Sequence, residues 1–360
     1  MAADPRRSWD LFCRRVDNFG DVGVSWRLAA GLASRGHRVR LWVDDPSPLR
    51  FMAPAGAAGV EVLDWPAEFD GLAGQGPGDV VIETFGCELP ACVVEAMTAR
   101  QPAPVWLNLE YLSAEDYAER SHGLPSPQPS GLAKWFFFPG FSPGTGGLLR
   151  EPGLLEQRAA FDREAWLAGR GIARRADERV VLLFGYAHAQ LASLIHSLGD
   201  RPTLLLLAQG PARQQVEAMA GQLPARLRCT GLPWLTQAEF DRALWCADLN
   251  LVRGEDSLVR AIWAGAPLVW QLYPQEPEVL ERKLAAWLGR LCAGTPSPAL
   301  HDRLQALHRR YNGLDGSGLD APLVWPDESS WRAQVLRWRA SLAALPDLVT
   351  QLERFVNGKS

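Results

Sequence analysis

Two aspartates, Asp17 and Asp21, flank a glycine in the segment VDNFGDVGVSW, between a predicted strand and a predicted helix. In an α/β domain, a glycine-containing turn at a helix N-terminus usually holds a phosphate group. Two carboxylates would repel a phosphate, so this turn does not fit that role. Aspartate beside glycine is also common as a turn residue or helix cap, and the pattern alone leaves both a structural and a chemical role open.

A second polar turn follows the predicted strand DLNLV, in the segment NLVRGEDSLVRAIWAGAPLVW. We expect Ser257 to cap a short helix that ends at Gly265. The N–H groups of that helix, its dipole and Arg253 would suit a diphosphate. Glu255 and Asp256 fit such a site if they accept hydrogen bonds from sugar hydroxyls. The arrangement suits a nucleotide sugar, although a serine-capped helix also occurs in α/β proteins that bind no ligand there.

Side chains from two other segments are candidates to line the same site. Gln237 and Phe240 are one helical turn apart in TQAEFDRALW, where an amide and an aromatic face would hold a pyrimidine base. Phe240 is equally consistent with a core position. Tyr186, in the strand end FGYAH, would reach a ligand from the first strand of a second domain. We interpret His188, in the same stretch, as a structural or surface residue rather than a base.

Short apolar runs alternate with helical patterns along the chain, which predicts an α/β fold of two doubly wound, Rossmann-like domains facing a cleft. In the first domain the predicted strands are WDLFC, RVRLWV, DVVIETF, PVWLNLEY and KWFFFPGF. In the second they are RVVLLFGY, PTLLLLA, RLRCTG, DLNLVRG and PLVWQLYP. We expect domains at 1–150 and 151–328, followed by C-terminal helices at 329–360 that pack back on the first domain.

The composition sets limits on the class of protein. The 360 residues carry a net charge of −4 with 47% hydrophobic residues, which gives no reason to expect nucleic acid or an anionic membrane as a partner. The start, MAADPRRSWD, lacks an apolar signal core, so a cytoplasmic protein is expected. The six cysteines form no CxxC pair and no zinc-type cluster, which favours reduced thiols and predicts no bound metal.

Four blocks of the sequence are similar to a known family. VDNFGDVGVSWRLAAGLASRGHRVRLWVDD, WLNLEYLSAE, WFFFPGF with TGGLLRE, and RGEDSLVRAIWAGAPLVWQLYPQ resemble the bacterial protein-arginine rhamnosyltransferases that modify elongation factor P. The blocks run from Val16 to Gln275 in the order of the family. The resemblance implies a GT-B glycosyltransferase fold, dTDP-β-L-rhamnose as donor and an arginine of elongation factor P as acceptor. It further implies inversion at the anomeric carbon and activation of the acceptor for translation of polyproline stretches.

The resemblance also implies site residues. Asp17 and Asp21 match two essential aspartates, with Asp21 as the base, and no metal or other cofactor is expected. The absence of any Asp-x-Asp triplet agrees with a metal-independent reaction. The first domain would bind the acceptor, and the second the donor. The donor residues would be Phe184, Tyr186, Gln237, Phe240, Arg253, Glu255, Asp256, Ser257 and Tyr273.

A guanidinium is a difficult nucleophile, because its pKa lies above about 12 and a carboxylate with a pKa near about 4 cannot deprotonate it beforehand. Our hypothesis is that the two aspartates orient the guanidinium and take its proton as the new bond forms. Glu110, at another predicted strand end, would position either the domain or the acceptor. The alternatives are a nucleotide-sugar epimerase of the same fold, which would need no protein acceptor, and a non-catalytic protein-binding module.

Overall fold

A computed structural model describes residues 6–15, 19–66, 68–69, 71–72, 74–295, 297–316 and 323–359. The strands in these ranges are β1 (Ser8–Cys13), β2 (Arg38–Val43), β3 (Val60–Asp64), β4 (Val80–Thr84), β5 (Val105–Leu109), β6 (Pro125–Pro127), β7 (Ala133–Phe137), β8 (Arg179–Leu183), β9 (Thr203–Leu207), β10 (Leu227–Gly231), β11 (Leu249–Arg253) and β12 (Leu268–Gln271). The helices are α1 (Gly20–Ser34), α2 (Leu49–Met52), α3 (Ala91–Ala99), α4 (Asp116–Ser121), α5 (Leu154–Ala159), α6 (Arg163–Ala168), α7 (Leu191–Ser197), α8 (Pro211–Ala218), α9 (Gln237–Cys246), α10 (Gly254–Ala264), α11 (Pro277–Leu291), α12 (Pro298–Tyr311), α13 (Glu328–Ala343) and α14 (Leu348–Asn357). Two short 3-10 helices follow α7 and α8.

The first sheet has the strand order β3-β2-β1-β4-β5-β7-β6 within the described residues, and only the pairing of β6 with β7 is antiparallel. Its central strands are almost entirely buried because both faces of the sheet are covered. All five residues of β4 are buried, as are five of the six in β1. In contrast, three of the five residues of the edge strand β3 are exposed. The central strands agree with those predicted from the sequence, whereas β3 and β6 were not predicted.

Alternate side chains of each strand enter two different hydrophobic clusters, one on each face of the first sheet. Leu11 belongs to the cluster that contains α1 and α14, while its neighbour Phe12 belongs to the cluster that contains α3. The packing of α14 on α1 is close at Gly31, where an added Cβ would lie 2.9 Å from Val349 Cγ2. A glycine inside α1 therefore lets the C-terminal helix approach.

The second sheet has the order β10-β9-β8-β11-β12 in the described part of the chain, and every pairing is parallel. The predicted runs RVVLL and TLLLL form β8 and β9, in which every residue is buried. Two α/β sheets of this kind confirm the predicted fold class. No helix within the described ranges is both long enough and apolar enough to cross a membrane.

The chain divides into two compact units. The first unit comprises Met1–Glu151 and Leu345–Ser360, and the second comprises Pro152–Ala344. The segment 329–360, predicted as one group of C-terminal helices, is thus divided. Helix α14 packs with α1 in the first unit, whereas α13 packs with α10 and α11 in the second. In the second unit the ring of Trp338 on α13 lies 6.2 Å from that of Trp287 on α11.

Candidate functional site

The turn that carries the aspartate pair is described from Phe19 onward, and Asp17 lies outside the described residues. Phe19 occupies the N-cap position of α1, so Asp21 is the second residue of the helix and not its cap. Asp21 is 3% exposed. Burial raises the pKa of Cys13 to about 12, and the charge of Asp21 adds to the rise. Asp21 is therefore a buried acidic residue beside the carboxyl end of β1, the edge where ligands of open α/β sheets usually bind.

Two more carboxylates lie at the carboxyl ends of β4 and β5. Glu83 is fully buried, with Oε1 2.5 Å from Lys134 Nζ on β7. Burial raises the pKa of Glu83, and Lys134 partly offsets the rise. Glu110 accepts a hydrogen bond of 2.7 Å from Asn108 Nδ2, and its pKa is raised by burial and then by the charge of Glu83. Acidic groups thus collect at one edge of the first sheet.

The same unit contains a pocket of about 560 Å³ that the sequence analysis did not find. Its lining includes the β4–α3 loop, in which Phe85 and Glu88 adopt positive φ angles of 59° and 48°. Such angles are uncommon for residues other than glycine. The Phe85 ring stacks on Tyr111 at 4.5 Å, and Arg14 Cζ lies 4.5 Å from the Trp65 ring at the pocket wall. No residue spacing in the sequence indicates this arrangement.

In the second unit, the predicted cap of α10 is wrong. The helix begins at Gly254, three residues before Ser257, and Arg253 occupies the N-cap position. Gly254 has a φ of +67°, which lets the chain turn directly from β11 into the helix. Ser257 is a buried residue at the end of the first turn. The predicted end of the helix is confirmed, because Gly265 has a φ of +75° and acts as a left-handed C-cap.

The predicted aromatic residues come together around Arg253. Its guanidinium carbon lies 4.7 Å from the ring centre of Phe184 and 4.4 Å from that of Tyr186. Phe184 contacts Phe240 edge-on at 5.2 Å, and Tyr186 contacts Tyr273 in the same way at 5.9 Å. Arg253 is 8% exposed, whereas Tyr273 is 43% exposed. A desolvated guanidinium on two aromatic faces thus stands at the N-terminus of α10, a favourable setting for an anion.

Asp256 belongs to a buried ion network that sequence reasoning did not foresee. Arg260 Nε donates to Asp256 Oδ2 at 2.9 Å, and Arg260 Nη1 lies 2.9 Å from both carboxylate oxygens of Asp241 on α9. Arg260 Nη1 also approaches the carbonyl oxygen of Gln237 at 3.4 Å. The Asp256 carboxylate is therefore ion-paired within the protein, in a network where one guanidinium contacts two carboxylates. Glu255, in the same first turn, is half-buried.

Gln237 and Phe240 lie on the first turn of α9, one turn apart as predicted. Thr236 caps this helix by accepting a hydrogen bond from the N–H of Glu239. His188 also fits its predicted structural role. Burial lowers the pKa of His188 to about 4, and its ring packs edge-on against Tyr311 at 4.7 Å. The stretch from Phe184 to the turn before α7 is irregular.

The chain matches a known family along nearly its whole length: the model described as "Elongation-Factor P (EF-P) rhamnosyltransferase EarP" covers residues 9–357. The chain belongs to this family. A protein-arginine rhamnosyltransferase of Pseudomonas aeruginosa is 42% identical to it over 378 residues, which cover 97% of this chain and 98% of that protein. The resemblance inferred from the four sequence blocks is confirmed.

Solved structures support membership of the EarP family and show the fold of this chain. One, described as "Structural basis for EarP-mediated arginine glycosylation of translation elongation factor EF-P", is 31% identical and covers 99% of this chain and 100% of that chain, with a TM-score of 0.65. The calicheamicin glycosyltransferase CalG4 is 17% identical, covers 98% of both chains and has a TM-score of 0.51. The two units are those of a GT-B glycosyltransferase, and this member of the EarP family is an enzyme.

Proposed function

We propose that this protein transfers L-rhamnose from dTDP-β-L-rhamnose to an arginine side chain of elongation factor P, with inversion at the anomeric carbon. The observation that carries the proposal is the Arg253 guanidinium, held over Phe184 and Tyr186 at the N-terminus of α10, in a chain of the EarP family. We propose that the reaction takes place in the cytoplasm, activates the acceptor for translation of polyproline stretches and needs no metal ion or other cofactor.

The donor half of the proposal uses the second unit. The diphosphate would accept hydrogen bonds from Arg253 and from N–H groups at the start of α10, where the helix dipole favours negative charge. The thymine base would contact Phe240 and the amide of Gln237, which lie on one turn of α9. Tyr186 and Tyr273 supply aromatic surface beside the same guanidinium. Together these groups of side chains would fit the base, the diphosphate and the sugar of one nucleotide sugar.

The carboxylates of the donor loop have different proposed tasks. The Asp256 carboxylate is ion-paired with Arg260, which would weaken its repulsion of the diphosphate and hold the loop in shape. Glu255, in the same turn, would accept hydrogen bonds from rhamnose hydroxyls. Ser257, which is buried at the end of this turn, would form part of the surface next to the diphosphate. These roles would lessen the repulsion between the acidic side chains and the diphosphate.

The acceptor half uses Asp21 and Asp17 of the first unit. An aspartate would orient the guanidinium by charge-assisted hydrogen bonds and bring one nitrogen toward the anomeric carbon. As the C–N bond forms, the C–O bond to the diphosphate breaks, dTDP leaves and the carboxylate takes the proton from nitrogen. We assign this proton to Asp21, which is buried beside the carboxyl end of β1. Attack from the face opposite the leaving group inverts the anomeric centre.

Intact-mass measurement of purified elongation factor P, incubated with the protein and dTDP-β-L-rhamnose, tests the proposal. A gain of one deoxyhexose is expected, together with no gain when the acceptor arginine is replaced by lysine. An NMR spectrum of the product should show an α-linked sugar if the anomeric centre inverts. A modified free sugar without modified acceptor would favour an epimerase. Acceptor binding without any sugar chemistry would favour a non-catalytic binding module, and either result would overturn the proposal.

A further inference from the structure

The segment that carries Tyr186 is held by two glutamine side chains. Gln271 Oε1, at the end of β12, accepts a hydrogen bond from the Tyr186 N–H at 2.8 Å, and Gln271 Nε2 lies 3.5 Å from the Tyr186 carbonyl oxygen. Gln215 on α8 makes the same two contacts with His188, two residues later. Its amide oxygen accepts from the His188 N–H and its amide nitrogen donates to the His188 carbonyl oxygen, both at 3.0 Å. Each amide thus satisfies one residue's N–H and C=O, as a neighbouring strand would.

These amides are placed where the sheet cannot supply partners. Strand β8 ends at Leu183, and beyond Phe184 the segment has left the ladder between β9 and β11. Partly buried backbone groups that leave a sheet need other hydrogen-bonding partners. The segment also comes close to Gln271 at Gly185, where an added Cβ would lie 3.0 Å from Gln271 Oε1. The glutamine contacts therefore define the path of the chain at this point.

The end of β12 also contacts the first residue of α10, which belongs to the same proposed site. The indole N–H of Trp270 donates to the carbonyl oxygen of Gly254 at 2.9 Å, at the first residue of α10. Asn312, which follows α12, accepts from the Leu272 N–H at 2.9 Å and donates to the Trp270 carbonyl at 3.0 Å. One strand end thus fixes both the start of α10 and, through Gln271, the segment of Tyr186.

From these contacts we infer that Gln271 and Gln215 are positioning residues of the donor site. Gln271 is 6% exposed and acts on the backbone of Tyr186, whose ring lies 4.4 Å from the Arg253 guanidinium. Gln215 acts on the same segment less directly, because it binds the backbone of His188, two residues after Tyr186. Neither side chain needs to touch the nucleotide. They keep an aromatic face under the guanidinium that binds the diphosphate, and this inference rests on the donor site proposed above.

Calorimetric titration of the full-length protein with dTDP tests the inference. The variant Gln271→Met keeps the length of the side chain and removes both amide contacts. We expect its Kd for dTDP to rise about tenfold, the size expected for the loss of a buried hydrogen bond that orders the site. Gln215→Met should raise the Kd by about threefold. The matched control is Gln214→Met, which changes an exposed neighbour on the same helix.

Steady-state kinetics separates positioning from general damage. The donor KM of Gln271→Met should rise in parallel with its Kd, while the KM for the protein acceptor stays within about twofold of wild type. If Gln271→Met does not fold, as judged by circular dichroism, the Gln215→Met variant decides. Kd values within twofold of wild type in the folded variants would overturn the inference and leave the proposed function intact. Failure of the wild-type protein to bind dTDP would instead overturn the donor site itself.

Discussion

The guanidinium of Arg260 lies 2.9 Å from the carboxylate of Asp256, one turn earlier on α10, and is 2% exposed. The same guanidinium pairs with Asp241, so the network joins α10 to α9 within the second unit. Helix α10 starts at the proposed diphosphate site, and α9 carries the residues proposed for the base. The relative position of the two parts of the donor site therefore depends on one buried arginine.

Replacing this arginine should destabilise the second unit. Arg260→Met would leave the buried Asp241 and the partly buried Asp256 without their cation, which costs about 3–5 kcal/mol in comparable sites. Urea unfolding followed by circular dichroism measures the loss. Glu217→Gln is the control, because Glu217 pairs with Arg213 at 2.7 Å on the surface and is 51% exposed. That change should alter stability by less than about 1 kcal/mol. Equal stability of Arg260→Met and wild type would contradict the role of the network.

Arg253 should be needed for donor affinity even when its charge is kept. Arg253→Lys loses the planar fork that pairs with a diphosphate and the stacking on Phe184 and Tyr186. We expect the Kd for dTDP to rise about 10- to 100-fold, with little change in thermal midpoint. The same change at Arg242, an exposed arginine on α9, should leave the Kd within about twofold. Unchanged affinity in Arg253→Lys would remove the guanidinium from the donor site.

Part of the acid sensitivity of the second unit should come from buried histidine. Burial lowers the pKa of His308 to about 4, as it does for His188. Between pH 6.5 and 4 the unfolded chain binds a proton that the folded chain does not. Stability therefore falls as pH falls, by about 1.4 kcal/mol per pH unit for each histidine.

Comparison of variants isolates this effect. His308→Gln removes one titrating group, so its unfolding free energy should depend less on pH between 6.5 and 4 than that of wild type. Leu304→Ala, on the same helix, should lower stability by about 2–5 kcal/mol and keep the wild-type dependence on pH. Urea unfolding at several pH values provides the measurement. Identical pH dependence in His308→Gln and wild type would show that the folded protein protonates His308 as readily as the unfolded chain.

The elements that the sequence predicts best are those with the strongest local signal. β8 and β9 contain the apolar runs VVLL and LLLL because both faces of a parallel sheet are covered, and such runs are visible in one sequence. The edge strand β3 has mostly exposed residues and carries no such signal. A continuous apolar run therefore indicates that a strand is buried on both faces, and not only that its residues favour a strand.

The site was predictable in its composition and less so in its geometry. Aromatic residues and an arginine were expected at the ends of β8 and β11, and the rings of Phe184 and Tyr186 do lie against the Arg253 guanidinium. The predicted cap at Ser257 was wrong, because a serine before an apolar run does not reveal that the helix already begins at Gly254. The spacing of Asp256 and Arg260 suggests an i,i+4 pair, but Asp241 joins it only through tertiary packing.

The central claim is that Asp21 serves the acceptor while Arg253 serves the donor. The most direct test is the rate at which elongation factor P gains one deoxyhexose, followed by intact mass, with wild type, Asp21→Asn and the control Asp45→Asn. We expect Asp21→Asn to slow transfer about 10²- to 10⁴-fold and to leave the Kd for dTDP within about twofold of wild type. We expect Asp45→Asn to transfer rhamnose at the wild-type rate. Transfer by Asp21→Asn at the wild-type rate would contradict the central claim.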